Sequence, residues 1–167
     1  MDYRLLIKRL DLPAGFSPPT HLVYEDIVAT AIARTDLKDD VRGINDSLSL
    51  IRRTRGGEWP GEAVTEEFNF VDLVWHEQEF RERESFTYVL RDRNSGYLGC
   101  AYLYPLGRRT RLHDDLMRFD VDVSWWVTQS AYAAGYYGQA YRALRQWLTA
   151  EYPFWECYFS NSVVPNE

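Results

Sequence analysis

The sequence predicts a mixed α/β (α+β) fold: a single domain on a mostly antiparallel sheet flanked by helices. Three observations predict it. Two-residue alternation in "SFTYVLRD" and "FDVDVSWWV" marks strands. Apolar residues spaced by three and four, as in Leu37, Val41, Ile44, Leu48 and Ile51, mark amphipathic helices. The two patterns follow the order strand, two helices, three strands, helix, strand, which suits a sheet covered by helices.

Residues 1–20 end in "PAGFSPPT", which cannot continue a helix. They read as an N-terminal arm that buries Leu5, Leu6, Ile7 and Phe16, and residues 21–167 read as the domain. "HLVYEDIVATAIAR" is rich in β-branched residues and predicts a strand within 22–33. Thr35 is then placed to cap a helix, with Asp36 and Asp39 in a first turn where carboxylates suit the helix dipole. The stripe from Leu37 to Ile51 predicts one helix.

"TRGGEWPG" breaks the chain, and Thr65 can cap a second helix. Phe68, Phe70, Val71, Leu73, Val74 and Trp75 surround most of it, so packing on more than one side is expected. Its narrow polar strip is Asn69, Asp72, His76, Glu79 and Arg83, while Glu77 points elsewhere and suits an arginine partner.

"SFTYVLRDRNSGYLGCAYLYP" predicts two strands around a turn at Asn94–Gly96, the second closed by Pro105. A polar excursion carries Arg108, Arg109 and Arg111. On the next extended run, Val121, Val123, Trp125 and Val127 face one way, and Asp122, Ser124 and Trp126 the other. Tyr136, Tyr137, Ala140, Tyr141, Leu144, Trp147 and Leu148 form a helical stripe ended by Pro153, and "FWECYF" reads as a last strand.

The 167 residues suit one domain, and 46% apolar with 26% charged residues argues against disorder. A net charge of −6 argues against a nucleic-acid surface. No window approaches eighteen apolar residues, so no membrane span is expected. The apolar run in "MDYRLLIKRLDLPAG" is too short for a signal peptide, and a cytoplasmic protein is the expectation. Cys100 and Cys157 read as buried thiols, with a disulfide as the alternative.

Residues 124–148, "SWWVTQSAYAAGYYGQAYRALRQWL", pass from strand through a loop into a helix. Amides at a helix start are unpaired and can hold phosphate oxygens, and Gly135 and Gly138 would let a ligand come close. The other reading is a helix start eased by glycine, with Tyr132, Tyr136 and Tyr137 filling the core.

"WPGEAVTEEFNFVDLVWHEQEFRERESFTYVLRD", "YLGCAYLYP", "VDVSWWV" and "LRQWLTAEYPFWECYF" cover roughly residues 59–159. They resemble a group of small bacterial proteins in the GNAT superfamily of N-acetyltransferases, with a weaker match over 22–50. The resemblance implies an acetyltransferase-like domain that uses acetyl-coenzyme A (acetyl-CoA). The strand before the loop would pair with the pantetheine arm, and the amide of Trp126 or Val127 would polarise the thioester carbonyl. The superfamily's pyrophosphate loop, Gln or Arg, two residues, Gly, one residue, Gly or Ala, falls on Tyr132, Gly135 and Tyr137. A second register uses Gly135, Gly138 and Ala140. Tyr136 and Arg142 complete the expected cofactor-binding set, and either basic patch, Arg108, Arg109 and Arg111 or Arg142 and Arg145, could meet the coenzyme's 3′-phosphate. Tyr137 stands where the superfamily has a small residue. Its ring either projects into the cleft or, as its place on the helical stripe predicts, turns inward.

The resemblance also implies a last helix and two strands after the fifth strand, for which "YFSNSVVPNE" offers no counterpart, nor for the tyrosine general acid many members carry there. The open sheet edge makes a homodimer attractive. Two candidate bases remain. Asp122 lies on the strand before the loop, near where many members keep a carboxylate, and His76 lies one turn from Asp72. Asp72, His76 and Glu79 are too weak a pattern for a metal site. Two functions therefore stay open: an acetyl-CoA-dependent N-acetyltransferase acting on a small amine acceptor, or a non-catalytic module of the same shape that binds a ligand or partner.

Overall fold

The computed structural model describes residues 9–166. One six-stranded sheet runs β1 to β6 in sequence order, antiparallel except for the last pair. Three departures from expectation fall in the first third of the chain. The single strand expected within 22–33 is a hairpin of β1 (His21–Tyr24) and β2 (Ile27–Ala31). Glu25 and Asp26 make the two-residue turn, with Glu25 at φ 51°. The helix expected over Leu37–Ile51 is two, α1 (Leu37–Asn45) and α2 (Leu48–Arg55). Ser47 leaves helical geometry at φ −136°, and its buried hydroxyl accepts the Gln129 amide at 3.0 Å. A tertiary hydrogen bond thus wins over helix continuity. Thr35 is not the cap expected of it: Asp36 accepts the Ala33 amide in a tight turn ahead of α1.

Helix α3 (Glu66–Arg81) is capped by Thr65, whose hydroxyl accepts the Phe68 amide at 3.2 Å. Its orientation reverses the expected one. Leu73 is buried together with the polar Asn69, His76 and Glu79, whereas Phe68, Val71 and Trp75 are 73%, 56% and 61% exposed. The buried polar groups are satisfied, which makes the arrangement tolerable. Asn69 donates to Asp40 at 2.7 Å, His76 Nδ1 meets Thr87 Oγ1 at 3.1 Å, and Glu79 takes bonds from Ser85 and Arg108. On another side, Glu77 pairs with Arg34 at 2.8 Å, as its position suggested.

The centre of the sheet is β3 (Phe86–Asp92), β4 (Tyr97–Tyr104) and β5 (Val121–Val127). A short unexpected helix, α4 (Gln129–Ala133), precedes α5 (Tyr136–Ala150), and β6 (Cys157–Phe159) runs parallel to β5. Alternation along β5 divides the core as the sequence implies. Val121, Val123, Trp125 and Val127 meet α5, while Trp126 joins Ile44, Ile51, Leu73 and Val89 on the face covered by α1–α3. Cys100 and Cys157 are separate thiols on β4 and β6, with β5 between them. Phe16 packs on Tyr152 at 5.3 Å, whereas Leu5, Leu6 and Ile7 of the expected arm lie outside the described residues. Among the described residues no helix is long and apolar enough to cross a membrane.

Candidate functional site

Pairing between β5 and β6 covers only Val121, Asp122 and Val123. Beyond Val123 the strands part, and β5 continues alone on that side. Thr128 donates to Leu98 across β4, which fixes the parity: the backbone groups of Val127 and Trp125 point toward the gap, and those of Trp126 toward β4. Of the two amides expected to meet a thioester, only Val127's is therefore aimed at the opening. The Trp126 side chain is also committed elsewhere, with Nε1 donating to Tyr102 at 2.8 Å on the opposite face.

The chain beyond β6 enters the gap. Ser160 donates its amide to Val123, and the Asn161 carboxamide takes both backbone groups of Trp125. Ser162 and Val163 then donate to the carbonyls of Arg55 and Thr54. The gap is thus filled as far as Trp125, and beyond it Val127, 1% exposed, has no backbone partner on that side among the described residues.

Two helices begin at this end of β5, and they differ. Two of the first amides of α4 are already taken, Gln129's by Ser47 and Ala131's by Thr128. A cleft of about 480 Å³ beside it is lined by Arg42, Gly43, Tyr97, Thr128 and Gln129 among others. Helix α5 instead starts from Gly135, at φ 89° with no side-chain cap. The amides of Tyr136, Tyr137 and Gly138 have no partner among the described residues. A 15-residue helix brings partial positive charge to that end.

Tyr137 is 6% exposed, and its ring stacks on Trp125 at 5.0 Å, so it turns inward. Its hydroxyl donates to the Val163 carbonyl. Tyr132 is exposed at the rim, 5.6 Å from Tyr137 and under the Arg53 guanidinium. Gly138 lies in the first turn of α5, within reach of an exposed Arg142. Tyr136 is turned away, donating to Asp26 at 2.6 Å.

The α2–α3 face carries the charges. Asp122 is 1% exposed and accepts from Thr110 at 3.0 Å and from Ser160. Burial pushes its carboxyl above the ordinary range, against the pull of those two hydroxyls and of Arg109 and Arg55. His76 lies over the cross-strand row Thr87, Tyr102, Ser124, its ring 6.0 Å from Tyr102 and its Nε2 3.3 Å from Asp72. Burial pushes the Asp72 carboxyl up, but its bond to His76 and the charges of His76, Arg108 and Arg55 hold it below the ordinary range. Glu79 turns instead to Ser85 and Arg108, so Asp72, His76 and Glu79 do not converge.

No protein-family model matches the chain, and no curated protein matches it in sequence. Solved structures do match in three dimensions. A ribosomal L7/L12 alpha-N-protein acetyltransferase, RimL, in complex with coenzyme A superposes with a TM-score of 0.59 at 11% identity, covering 78% of this chain and 68% of its own. A GNAT-family acetyltransferase from Bacillus anthracis gives 0.54 at 12% identity, over 78% and 67%. The chain has the GNAT fold. The microcin C7 self-immunity acetyltransferase MccE, in complex with acetyl-CoA and AMP, gives 0.56 at 11% identity, over 77% and 67%. At such identities the likeness is one of fold.

Within this GNAT fold the sequence-derived residues fall into two groups. Val127, Tyr132, Gly135, Tyr137, Gly138 and Arg142 gather where β5 ends and α5 begins. Asp122 and His76 share the α2–α3 face, separated from that cluster by the sheet edge. Sequence reasoning passed over Arg55, Ser160 and Asn161. Arg55 had a signal: it extends Ile44, Leu48 and Ile51 by four residues, a charge on an apolar stripe. Ser160 and Asn161 had only their polarity directly after a strand.

Proposed function

We propose that this chain is an acetyl-CoA-dependent N-acetyltransferase, with the coenzyme along the free end of β5 and an amine acceptor on the α2–α3 face. The observation that carries the reading is the uncapped start of α5 beside the unpaired Val127. Three free amides at a helix start suit pyrophosphate oxygens, and the backbone of Val127 suits the amide of a pantetheine arm. Gly135, which has nothing within 4 Å of the side chain it lacks, leaves room for close approach. The GNAT-family neighbours with coenzyme A or acetyl-CoA bound support the same choice.

Bound acetyl-CoA would supply an acetyl thioester, whose carbon–sulfur bond is exchanged for a carbon–nitrogen bond to the acceptor. The protons would balance, one lost by the amine and one taken up by the departing sulfur. Val127 offers an amide to the carbonyl oxygen. Ser160, half-buried where the strands part, donates its hydroxyl to Asp122, and the two form a relay that takes a proton from the acceptor's ammonium as it binds. Burial brings the Asp122 carboxyl closer to the working pH, which favours it as the base. The ionised Asp72, oriented by His76, faces the acceptor's ammonium from the other side.

A second reading has its own observation. Asn161 and the segment after it fill the gap up to Trp125, which suits a non-catalytic module of the same shape. Calorimetric titration with acetyl-CoA, followed by thiol release in the presence of amines, separates the two. Binding with turnover supports the enzyme. Absence of acetyl-CoA binding overturns it, and binding without turnover for any amine favours the module.

A further inference from the structure

Arg55 is 7% exposed, yet the structure gives its guanidinium a single hydrogen bond, from Nε to Ser124 Oγ at 3.1 Å. Its two terminal nitrogens have no protein partner among the described residues and, unlike the Nε of Arg109, reach solvent. The group is held in place by stacking: its central carbon lies 4.1 Å from the Tyr102 ring centre and 5.4 Å from that of Trp59. A guanidinium walled in by aromatic rings, with both terminal nitrogens turned outward, is preorganised to donate a fork of hydrogen bonds to an oxyanion. Nothing in the packing of α2 requires a charge there, since its buried side is otherwise Leu50, Ile51 and Thr54, whose hydroxyl bonds the Leu50 carbonyl.

A second guanidinium lies beside it. Arg109 donates to the Arg55 and Gly56 carbonyls, while its own Nε is buried without a partner. Burial and the nearby Arg55 both pull Arg109 below the ordinary guanidinium range. Two like charges with leftover donors, neither in an ion pair with a carboxylate, make a place for an oxyanion. Arg108 differs, being spent on Glu79. Location gives the pair meaning. Ser124 is the first residue of β5 beyond its last β6 partner, so Arg55 stands at the point where the strands part. Half-exposed Trp59, Tyr104 and Arg109, and the exposed Asp72, border this patch.

We propose that Arg55, with Arg109, binds a compact anionic oxygen group, carboxylate or phosphate, on the acceptor. The substrate class is then an amine that also carries an acid. Its anionic end sits on the two guanidinium groups, and its ammonium end faces Asp72 and Asp122 before deprotonation. This assignment rests on the reading of the α2–α3 face as the acceptor side.

The experiment compares three small amines of similar size by calorimetry: β-alanine (carboxylate), O-phosphoethanolamine (phosphate) and ethanolamine (neither). Each is titrated into wild type, Arg55→Lys and Arg55→Met, with and without acetyl-CoA. The expected result is tighter binding of one or both acidic amines by wild type, about tenfold or more over ethanolamine. Which acid wins identifies the group. Arg55→Met should lose the preference, and Arg55→Lys, which keeps charge without the fork, should retain part of it. Should Arg55→Met fail to fold, a preference undiminished in Arg55→Lys and in Arg109→Gln together overturns the proposal. So does equal binding of all three amines by wild type. A preference for acids without any acetyl-CoA binding would sink the transferase reading and leave the anion site standing. Acetyl-CoA binding without the preference would do the reverse.

Discussion

The carboxamide of Asn161 stands beside Trp125 as a one-residue strand: Oδ1 accepts the Trp125 amide at 3.1 Å, and Nδ2 donates to the Trp125 carbonyl at 2.9 Å. The same Nδ2 reaches the Tyr137 hydroxyl at 2.8 Å. One polar side chain therefore ties the free half of β5 to the start of α5. Replacing it by alanine leaves two buried backbone groups unpaired. Asn161→Ala should lose about 2–4 kcal/mol of stability in urea unfolding. A loss too small to measure would mean that the gap admits water or rearranges freely.

Gly135 holds φ 89°, where a side chain is strained whatever the space around it. Gly135→Ala should cost about 1 kcal/mol of stability. Gly135→Val should in addition weaken acetyl-CoA binding by more than its folding defect explains, because it crowds the amides of Tyr136, Tyr137 and Gly138. Equal affinity in wild type and Gly135→Val would remove this helix start from the coenzyme site.

Tyr137 is core rather than obstruction. Its ring and that of Tyr141 stack against Trp125 at 5.0 and 5.5 Å. Tyr137→Ala should therefore cost about 3–5 kcal/mol, and Tyr137→Phe about 1 kcal/mol for the hydroxyl. Acetyl-CoA affinity should be unchanged in Tyr137→Phe. Coenzyme binding that appears only in Tyr137→Ala would show instead that the ring blocks the site.

Glu79 predicts a pH dependence. Burial pushes its carboxyl up, but hydrogen bonds from Arg108 and Ser85 outweigh that and hold it below its ordinary 4.5. A folded value below the unfolded one gives stability that is complete above pH 4.5 and lost as pH falls through the folded value. Glu79→Gln should therefore be less stable than wild type at pH 7, and the difference should shrink below pH 4.5. A difference that stays constant from pH 7 to pH 3 would assign the loss to packing alone.

The orientation of α3 is testable by contrast. Trp75→Lys, on the exposed side, should change stability by no more than about 0.5 kcal/mol. Leu73→Ala, on the buried side, should cost about 2–5 kcal/mol. Comparable losses in both would mean that the apolar side of α3 is covered in solution.

The sheet was legible because alternation is a local property. Val121 to Val127 announced both faces of β5, and the faces proved to be those of two separate cores. The stripe on α5 was legible for the same reason, including the inward turn of Tyr137. Long-range bonds were not legible. The break at Ser47 depends on Gln129, some eighty residues later, and the inversion of α3 depends on Asp40, Thr87 and Arg108 offering partners to its polar strip. Composition around a helix tells how much apolar surface it has, not which side the rest of the protein can satisfy. At the site, Gly135 and Asp122 were visible as residue types in the expected register. Asn161 became meaningful only once β6 had been placed beside β5.

The inverted helix has a consequence for motion. Leu73 is the single fully buried apolar side chain on α3, half-buried Phe80 anchors its C-terminal end edge-on to Phe86 and Tyr88, and the rest of its attachment is polar bonds to α1, β3 and the loop after β4. Water can replace such bonds at small cost, whereas it cannot replace the ring packing around Trp125. Amide hydrogens of α3 should therefore exchange with solvent deuterium through a local opening, well before those of β4 and β5. Each such opening would lift the cover from Tyr102, Ser124 and Arg55, so this helix would act as the most readily raised part of the wall over that floor.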